Sequence, residues 1–293
     1  MSLTVAAHGK LNLTLYITGC REDGYHTLHT VMQSVALADE ITISQAENKN
    51  ITVTCSLEEL SGEENLAYKA ARLFLDTLHV DNGFNIHINK KIPVAGGMGG
   101  GSADAAGVLH GLNHWYHNPF STEKLCEMAL HLGADVPFCL IGGTQLATGI
   151  GEILQSLSPM PDCGILLLKP CEKGSTGAMY RKYDENKGLS PKENCGIINW
   201  IECQNIKKVA ECLENSFQSL YDDPRIEQAI SALLQQGALG ACLTGSGPTV
   251  FGIFESVVLA EQAAKVLACS YPVCAVTSPA TQGCQVIERK KQK

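Results

Sequence analysis

Residues 93–106 read PVAGGMGGGSADAA and include five glycines. Apolar residues then recur at helical spacing through Leu112 and Trp115, so the sequence predicts a glycine-rich loop that leads directly into a helix. A helix start presents unpaired N–H groups and the positive end of the helix dipole, and glycine lets an anion approach the backbone. Phosphate is the ligand that this junction favours. The plainer alternative is a tight turn with Ser102 as the helix cap and no ligand.

This loop does not match the common phosphate-binding patterns. Gly101 is followed by Ser102 and Ala103, where a P-loop requires Lys and then Ser or Thr. Counted from Gly97 and Gly99, the dinucleotide pattern requires a third glycine where Ser102 stands. The loop therefore predicts phosphate binding but assigns no reaction.

Composition limits the classes to which the chain can belong. Its 293 residues carry a net charge of −8 and favour two domains. The only basic cluster is residues 289–291, so we expect no nucleic-acid partner. No apolar run is long enough for a bilayer and the N-terminus lacks a signal-peptide pattern, so we expect a cytoplasmic protein with no membrane partner. The 13 cysteines include no CxxC pair and are expected to be reduced and buried, without a metal site.

Two charged residues, Lys10 and Asp135, lie in surroundings that make them candidates for a catalytic site. Residues 6–16 alternate apolar and polar side chains as in a half-buried strand, which turns Lys10 and Asn12 the same way. A solvated strand face is the alternative for both residues. Asp135 lies among apolar neighbours, where the local sequence favours a cap for a short helix with Pro137 in its first turn.

Further candidates lie at turns and at a helix start. Tyr25 and His26 follow an Asp-Gly turn, where they could stack on and hydrogen-bond a flat heterocycle or simply cover the edge of the core. The Gly-Ser-Gly turn at residues 245–247 is typical of a plain hairpin connection. Asn65 is a candidate cap for the amphipathic helix predicted over residues 64–78.

The order of predicted elements changes at a proline-marked stretch, residues 156–161. The first part reads as α+β, and residues 180–191 in the second part read as a polar loop. Strands are predicted over residues 164–168, 241–244, 249–254 and 273–277, and helices over residues 206–220, 224–236 and 256–268. A ferredoxin-like split β-α-β layer is the simplest packing for this order.

Four stretches of the chain resemble the GHMP small-molecule kinases. They are residues 6–28 (AAHGKLNLTLYITGCREDGYHTL), 93–109 (PVAGGMGGGSADAAGVL), 132–143 (LGADVPFCLIGG) and 243–252 (LTGSGPTVFG). The narrower motifs are most similar to the branch that phosphorylates the 2-hydroxyl of a cytidine diphosphate-linked methylerythritol in non-mevalonate isoprenoid biosynthesis. The match covers residues 6–254 and is weak between 171 and 205. Departures from the family pattern, such as Met98 and Ala103 in the loop, leave Lys10 and Asp135 in place.

The resemblance implies an α+β, two-domain fold, with an S5-like ATP-binding domain (residues 1–158) and a ferredoxin-like C-terminal domain (residues 159–293). The site would lie between the domains, with ATP and Mg²⁺ as cofactors and no readable metal ligands. Asp135 is implied as the catalytic carboxylate and Lys10 as its cationic neighbour. The residues implied around ATP are Gly96, Gly97, Gly99, Gly100, Gly101, Ser102 and Asn65, and those implied around the substrate are Asn12, Tyr25, His26, Gly245 and Ser246.

Two alternatives to this function follow from the same fold. One is another GHMP kinase, of the homoserine or mevalonate type, and the other is a nucleotide-binding sensor without turnover. Tyr25 and His26 favour a cytidine base, because a small aliphatic alcohol needs no stacking surface. Lys10 and Asp135 together favour an enzyme over a sensor. The sequence is compatible with a monomer or a homodimer.

Overall fold

The computed structural model describes residues 2–172, 174–186 and 196–290. Two sheets organise these residues, and the helices pack on them. The strands are β1 (Ser2–Cys20), β2 (His26–Gln45), β3 (Ile51–Cys55), β4 (Phe84–Asn89), β5 (Thr144–Thr148), β6 (Ile153–Ser156), β7 (Gly164–Lys169), β8 (Glu214–Asn215), β9 (Gly240–Leu243), β10 (Val250–Phe254), β11 (Val273–Thr277) and β12 (Cys284–Lys290). The helices are α1 (Leu66–Leu78), α2 (Gly100–Trp115), α3 (Thr122–Leu132), α4 (Val136–Ile141), α5 (Thr176–Glu185), α6 (Ile197–Glu202), α7 (Ile206–Glu211), α8 (Pro224–Gln235) and α9 (Val257–Leu267).

The first sheet is built around the long antiparallel pair of β1 and β2. Its order is β12-β1-β2-β4-β3, and β5 and β8 pair with β2 and β1 outside this path. Helix α2 lies unusually close to β2, because a Cβ on Gly107 would come within 2.5 Å of Ile41 Cδ1 and one on Gly111 within 2.6 Å of Ile43 Cδ1. This close packing fixes the position of the helix that follows the glycine loop.

Strand β1 is buried on both faces, so the predicted half-buried strand is wrong. Leu11 and Leu13 are 0% exposed on the core face, and Lys10 and Asn12 are only 4% and 2% exposed on the other. The second half of the chain packs against this strand, where the backbone N–H of Asn12 donates to Thr244 Oγ1. Lys10 and Asn12 therefore lie inside the protein, not on a solvated edge.

The second sheet has the strand order β11-β7-β10-β9, and every neighbouring pair is antiparallel. Helices α8 and α9 contribute Ile226, Leu233 and Ala260 to a core shared with Leu168 and Phe254 of the strands. This order confirms the ferredoxin-like packing predicted for the second part of the chain.

Three predicted elements differ from the structure. Residues 41–44, predicted as a separate strand, are the end of β2, and the helix predicted over 206–220 ends at Glu211 before the short strand β8. Part of the predicted polar loop 180–191 is α5, which has no fully buried residue and packs on the core through the partly buried side chains of Met179, Tyr180 and Tyr183. Residues 187–191 lie outside the described part of the chain.

The end of the chain returns to the first sheet. Strand β12 pairs antiparallel with β1, and Ser2 lies opposite Lys290. The division into residues 1–158 and 159–293 therefore stays a prediction, since a strand from the second part completes the sheet of the first.

The composition leads us to expect buried cysteines and no membrane-spanning segment. Cysteines are not uniformly buried. Cys20, Cys203 and Cys269 are exposed, whereas the buried ones are Cys139, Cys163, Cys171, Cys212, Cys242 and Cys284. Across the described ranges, no helix combines the length and apolar character that a bilayer span requires.

Candidate active site

A cleft of 950 Å³ is lined by residues of the first sheet, of the turn between β9 and β10, and of helix α5. It brings together side chains and backbone from distant parts of the sequence. All of the predicted site residues line it, namely Lys10, Asn12, Tyr25, His26, Asn65, Gly96, Gly97, Gly99, Gly100, Gly101, Ser102, Asp135, Gly245 and Ser246.

The glycine loop forms one end of the cleft. Gly97 (φ +81°) and Gly99 (φ +69°) have left-handed backbone conformations, and Gly99 caps α2 without a side-chain bond. The alternative with Ser102 as the cap is therefore wrong. A Cβ on Gly97 would lie 2.4 Å from the Thr244 carbonyl oxygen, and one on Gly99 would lie 3.1 Å from Lys10 Cγ. Glycine is needed here both for conformation and for the close approach of the neighbouring segments.

Two backbone hydrogen bonds hold the loop between the halves of the chain. The N–H of Lys10 donates to the Met98 carbonyl at 3.0 Å, and the N–H of Thr249 donates to the Gly96 carbonyl at 3.2 Å. The first N–H groups of α2, a helix of 16 residues, begin where the loop ends. This is the geometry of an anion site at a helix N-terminus.

A buried charge cluster that sequence reasoning missed lies beneath the loop. Lys90 Nζ lies 2.5 Å from Asp39 Oδ2 and 2.7 Å from Asp104 Oδ2, and all three side chains are at most 5% exposed. Burial raises the pKa of Asp104 to about 7, although Lys90 opposes the shift. Burial also opposes the charge on Lys90, yet the carboxylates of Asp104 and Asp39 raise its pKa overall. The cluster joins β2, the segment after β4 and the second turn of α2, and so fixes both ends of the loop.

Lys10 and Asp135 face each other in the middle of the cleft. Lys10 Nζ lies 3.5 Å from Asp135 Oδ2 and donates to Asn12 Oδ1 at 2.7 Å, while Asn12 Nδ2 donates to Thr30 Oγ1 at 2.8 Å. The Lys10 side chain is 6% exposed and that of Asp135 is 39% exposed. Asp135 precedes α4 but makes no side-chain capping bond, so the capping interpretation is wrong. The carboxylate is instead directed to a fixed ammonium group and open to a ligand.

The opposite end of the cleft is aromatic. Tyr25 is 61% exposed at its rim. The His26 ring stacks on Tyr180 with centroids 4.7 Å apart, and its Nε2 lies 2.7 Å from Asp184 Oδ1. Tyr180 and Asp184 lie on α5, so sequence reasoning missed both residues. The available signal was Ser175, which caps α5 through a bond from the Ala178 N–H.

The Gly-Ser-Gly turn at residues 245–247 connects β9 and β10 as the predicted hairpin, and it also contacts the glycine loop. A Cβ on Gly245 would lie 2.6 Å from the Gly97 carbonyl oxygen. The Ser246 hydroxyl lies 3.0 Å from Thr176 Oγ1 of α5, and Tyr221 donates to the Ser246 carbonyl at 2.6 Å. The turn therefore links both ends of the cleft.

Asn65 is the predicted cap of α1. Its Oδ1 accepts from the Ala67 N–H at 2.8 Å, and its Nδ2 donates to the Leu60 carbonyl at 2.7 Å. The side chain lines the cleft while its amide is engaged by the backbone. Contact with adenine stays a prediction.

Comparison with known proteins assigns this chain to a family. The model for the GHMP kinases N terminal domain matches residues 65–143, and the GHMP kinases C terminal model matches residues 202–273. A 4-diphosphocytidyl-2-C-methyl-D-erythritol kinase from Lachnoclostridium phytofermentans is 40% identical over 89% of this chain and 91% of its own length. The enzyme of that name from Desulfitobacterium hafniense is 42% identical over 89% of this chain and 90% of its own length.

A solved structure extends the similarity to the fold. The crystal structure of a 4-(cytidine 5'-diphospho)-2C-methyl-D-erythritol kinase superimposes with a TM-score of 0.81 at 30% identity, covering 95% of this chain and 99% of the other. The predicted α+β fold is confirmed. The chain belongs to the GHMP kinases and is an ATP-dependent small-molecule kinase.

Proposed function

We propose that this kinase transfers the γ-phosphoryl group of ATP to the 2-hydroxyl of 4-diphosphocytidyl-2-C-methyl-D-erythritol. The observation that carries the proposal is the joint presence, in one cleft, of a glycine loop at a helix start, the Lys10–Asp135 pair and an aromatic end formed by Tyr25, His26 and Tyr180. Relatives named for this reaction are about 40% identical over most of the chain, which supports the same substrate.

The phosphate end suits the triphosphate of ATP. Backbone N–H groups at the start of α2 and the left-handed glycines Gly97 and Gly99 leave room for oxygen atoms where side chains would collide with protein. Ser102, in the first turn of α2, adds a hydroxyl that lines the same space. We assign ATP phosphates to this end and the acceptor to the other.

The residues present fit a Mg²⁺ ion that enters with ATP. No group of three or more metal-ligating side chains occurs in the described ranges, and Asp104 is already paired with Lys90. Asp135, whose side chain is 39% exposed beside Lys10, would provide a carboxylate oxygen to such an ion, and phosphate oxygens and water would be the other ligands. When bound, the ion neutralises phosphate charge.

Lys10 and Asp135 are proposed to perform the transfer step. Phosphoryl transfer proceeds through a loose transition state that needs alignment and charge neutralisation. Lys10 is buried and held by Asn12, so its ammonium group supplies a fixed positive charge. Asp135 orients the attacking hydroxyl and accepts its proton late, because an alcohol is too weak an acid to ionise beforehand.

The aromatic end is proposed to bind the cytosine ring. Tyr25 offers an exposed ring at the rim, and Tyr180 lies deeper, with Phe217 at 4.9 Å edge-on to it. Aromatic rings bind the faces of bases, and each such contact contributes about 1–3 kcal/mol. A homoserine or mevalonate would leave this surface unused.

ADP release tests the proposal. Purified protein is supplied with ATP, Mg²⁺ and either the cytidine diphosphate-linked methylerythritol or the same polyol phosphate without cytidine, and the phosphorylated product is confirmed by ³¹P NMR. We expect turnover that depends strongly on the cytidine. Equal turnover without cytidine would indicate another GHMP kinase. If neither compound gave ADP, the protein would act on another substrate or would be a nucleotide-binding sensor without turnover.

A further inference from the structure

Helix α5 holds the His26 ring with three side chains from one of its faces. Tyr180 stacks on the ring at 4.7 Å, Tyr183 meets it edge-on at 6.2 Å, and Asp184 Oδ1 lies 2.7 Å from Nε2. The spacing of these residues, three and four positions apart, places them side by side on a helix. The His26 side chain is only 8% exposed as a result.

The contact with Asp184 decides which ring nitrogen carries the proton. A neutral imidazole has one N–H donor and one acceptor nitrogen, and a carboxylate can only accept. Nε2 must therefore carry the proton in neutral His26, which leaves Nδ1 as an acceptor. Nδ1 has no hydrogen-bond partner among the described residues, so it can bind a ligand in the cleft.

We propose that Asp184 is a positioning residue that selects the base of the substrate by presenting His26 Nδ1 as a hydrogen-bond acceptor. The inference rests on the proposed cytidine substrate. Cytosine in a nucleoside has a single kind of donor, its exocyclic 4-amino group, whereas uracil carries a carbonyl oxygen at the same position. An acceptor nitrogen there binds cytosine and repels uracil, so Asp184 makes the site specific without touching the base.

Nothing in the transfer step depends on this contact. Asp184 lies on α5, whereas the reacting groups are assigned to Lys10, Asp135 and the glycine loop. A lost contact to the base should therefore raise KM and leave kcat nearly unchanged, because it binds substrate and transition state equally.

The test compares kcat/KM for the cytidine diphosphate-linked substrate and for its uridine analogue. The wild type should prefer cytidine. Asp184→Ala should lower the cytidine-to-uridine ratio about tenfold or more, mainly through a higher KM for the cytidine compound. Asp184→Asn keeps an acceptor oxygen and should retain more of the preference for cytidine over uridine than Asp184→Ala does.

A matched control separates this effect from loosening of the helix. Asp222 pairs with Lys182 of the same helix at 2.5 Å and is 92% exposed. Asp222→Ala should leave the cytidine-to-uridine ratio at its wild-type value. A fall in the ratio equal to that of Asp184→Ala would overturn the proposal, since the helix and not its carboxylate would then set specificity.

The tautomer of His26 is a second readout that requires no turnover. ¹⁵N-histidine spectra, with His26 assigned by comparison with His26→Gln, should show the proton on Nε2 in the wild type and a mixture of tautomers in Asp184→Ala. A wild-type proton on Nδ1, or equal losses for both substrates, would overturn the proposal. Failure of the wild type to phosphorylate the cytidine compound would instead refute the proposed function, and the tautomer would still decide the role of Asp184.

Discussion

The two ends of the cleft are built in different ways. The phosphate end is made of backbone, fixed by left-handed glycines and by the buried cluster of Lys90, Asp39 and Asp104. The base end is made of side chains, several of them on α5, a helix without a buried residue. In the proposed function, phosphate is bound in the same way whatever the acceptor is, whereas the base end has to distinguish one acceptor from another. Substitutions at the two ends should therefore have different consequences.

Loss of the carboxylate between the two ends should have the largest effect. Asp135→Asn keeps the shape of the side chain and removes the proton acceptor, so we expect turnover to fall roughly 10³-fold while ATP binding is kept. Steady-state ADP release and titration with a non-hydrolysable ATP analogue measure the two quantities. Unchanged turnover would show that Asp135 is not the proton acceptor.

A methyl group in the loop should damage the phosphate end next most severely. Gly97→Ala forces φ +81° on an L-residue and places Cβ 2.4 Å from the Thr244 carbonyl oxygen, so we expect about 2 kcal/mol or more of lost stability together with weaker ATP binding. Gly101→Ala is the matched control, because its nearest neighbour would be Leu66 Cδ1 at 3.8 Å. Equal melting temperatures for the two variants would contradict the close packing of the loop.

At the base end, removal of a ring should be milder and selective. Tyr180→Ala should raise KM for the cytidine substrate about tenfold through lost stacking, with a smaller effect on KM for ATP. Tyr180→Phe keeps the ring and is the control, with KM for the cytidine substrate near the wild-type value. A variant affected equally in both KM values would argue against a separate base end.

The last prediction concerns the pH dependence of stability and not turnover or ligand binding. The folded-state pKa of Asp104 is raised to about 7, above the ordinary value of 3.8, so the folded protein holds a proton that the unfolded chain releases. The contribution of Asp104 to stability is therefore present below pH 3.8 and is lost as the pH rises towards 7. Denaturant unfolding of wild type and Asp104→Asn should give a stability difference that shifts in favour of the variant over this interval. A difference independent of pH would show that Asp104 is ionised throughout.

The sequence predicted the glycine loop and the helix after it because their signals are local, and phosphate binding there stays a prediction. The loop and the helix that follows it are adjacent in the chain, and the period of residues 6–16 turned Lys10 and Asn12 the same way. Family resemblance brought Asp135 to Lys10 across 125 positions, which no spacing could have done.

The missed residues lie where local signals are weak. Helix α5 lines a cleft and packs only through partly buried side chains, so residues 180–185 resembled a loop. Lys90, Asp39 and Asp104 come together only when β2, the segment after β4 and α2 pack, and each residue alone resembles an ordinary surface charge. Strand β12 joins the first sheet through a pairing that the order of elements did not indicate.

Separate binding at the two ends is tested most directly by equilibrium titration of a non-hydrolysable ATP analogue and of cytidine diphosphate against the wild type, Gly97→Ala and Tyr180→Ala. We expect Gly97→Ala to weaken binding of the ATP analogue and to leave cytidine diphosphate binding near the wild-type value. Tyr180→Ala should have the opposite pattern. Parallel losses of both ligands in either variant would contradict a cleft with a phosphate end and a base end.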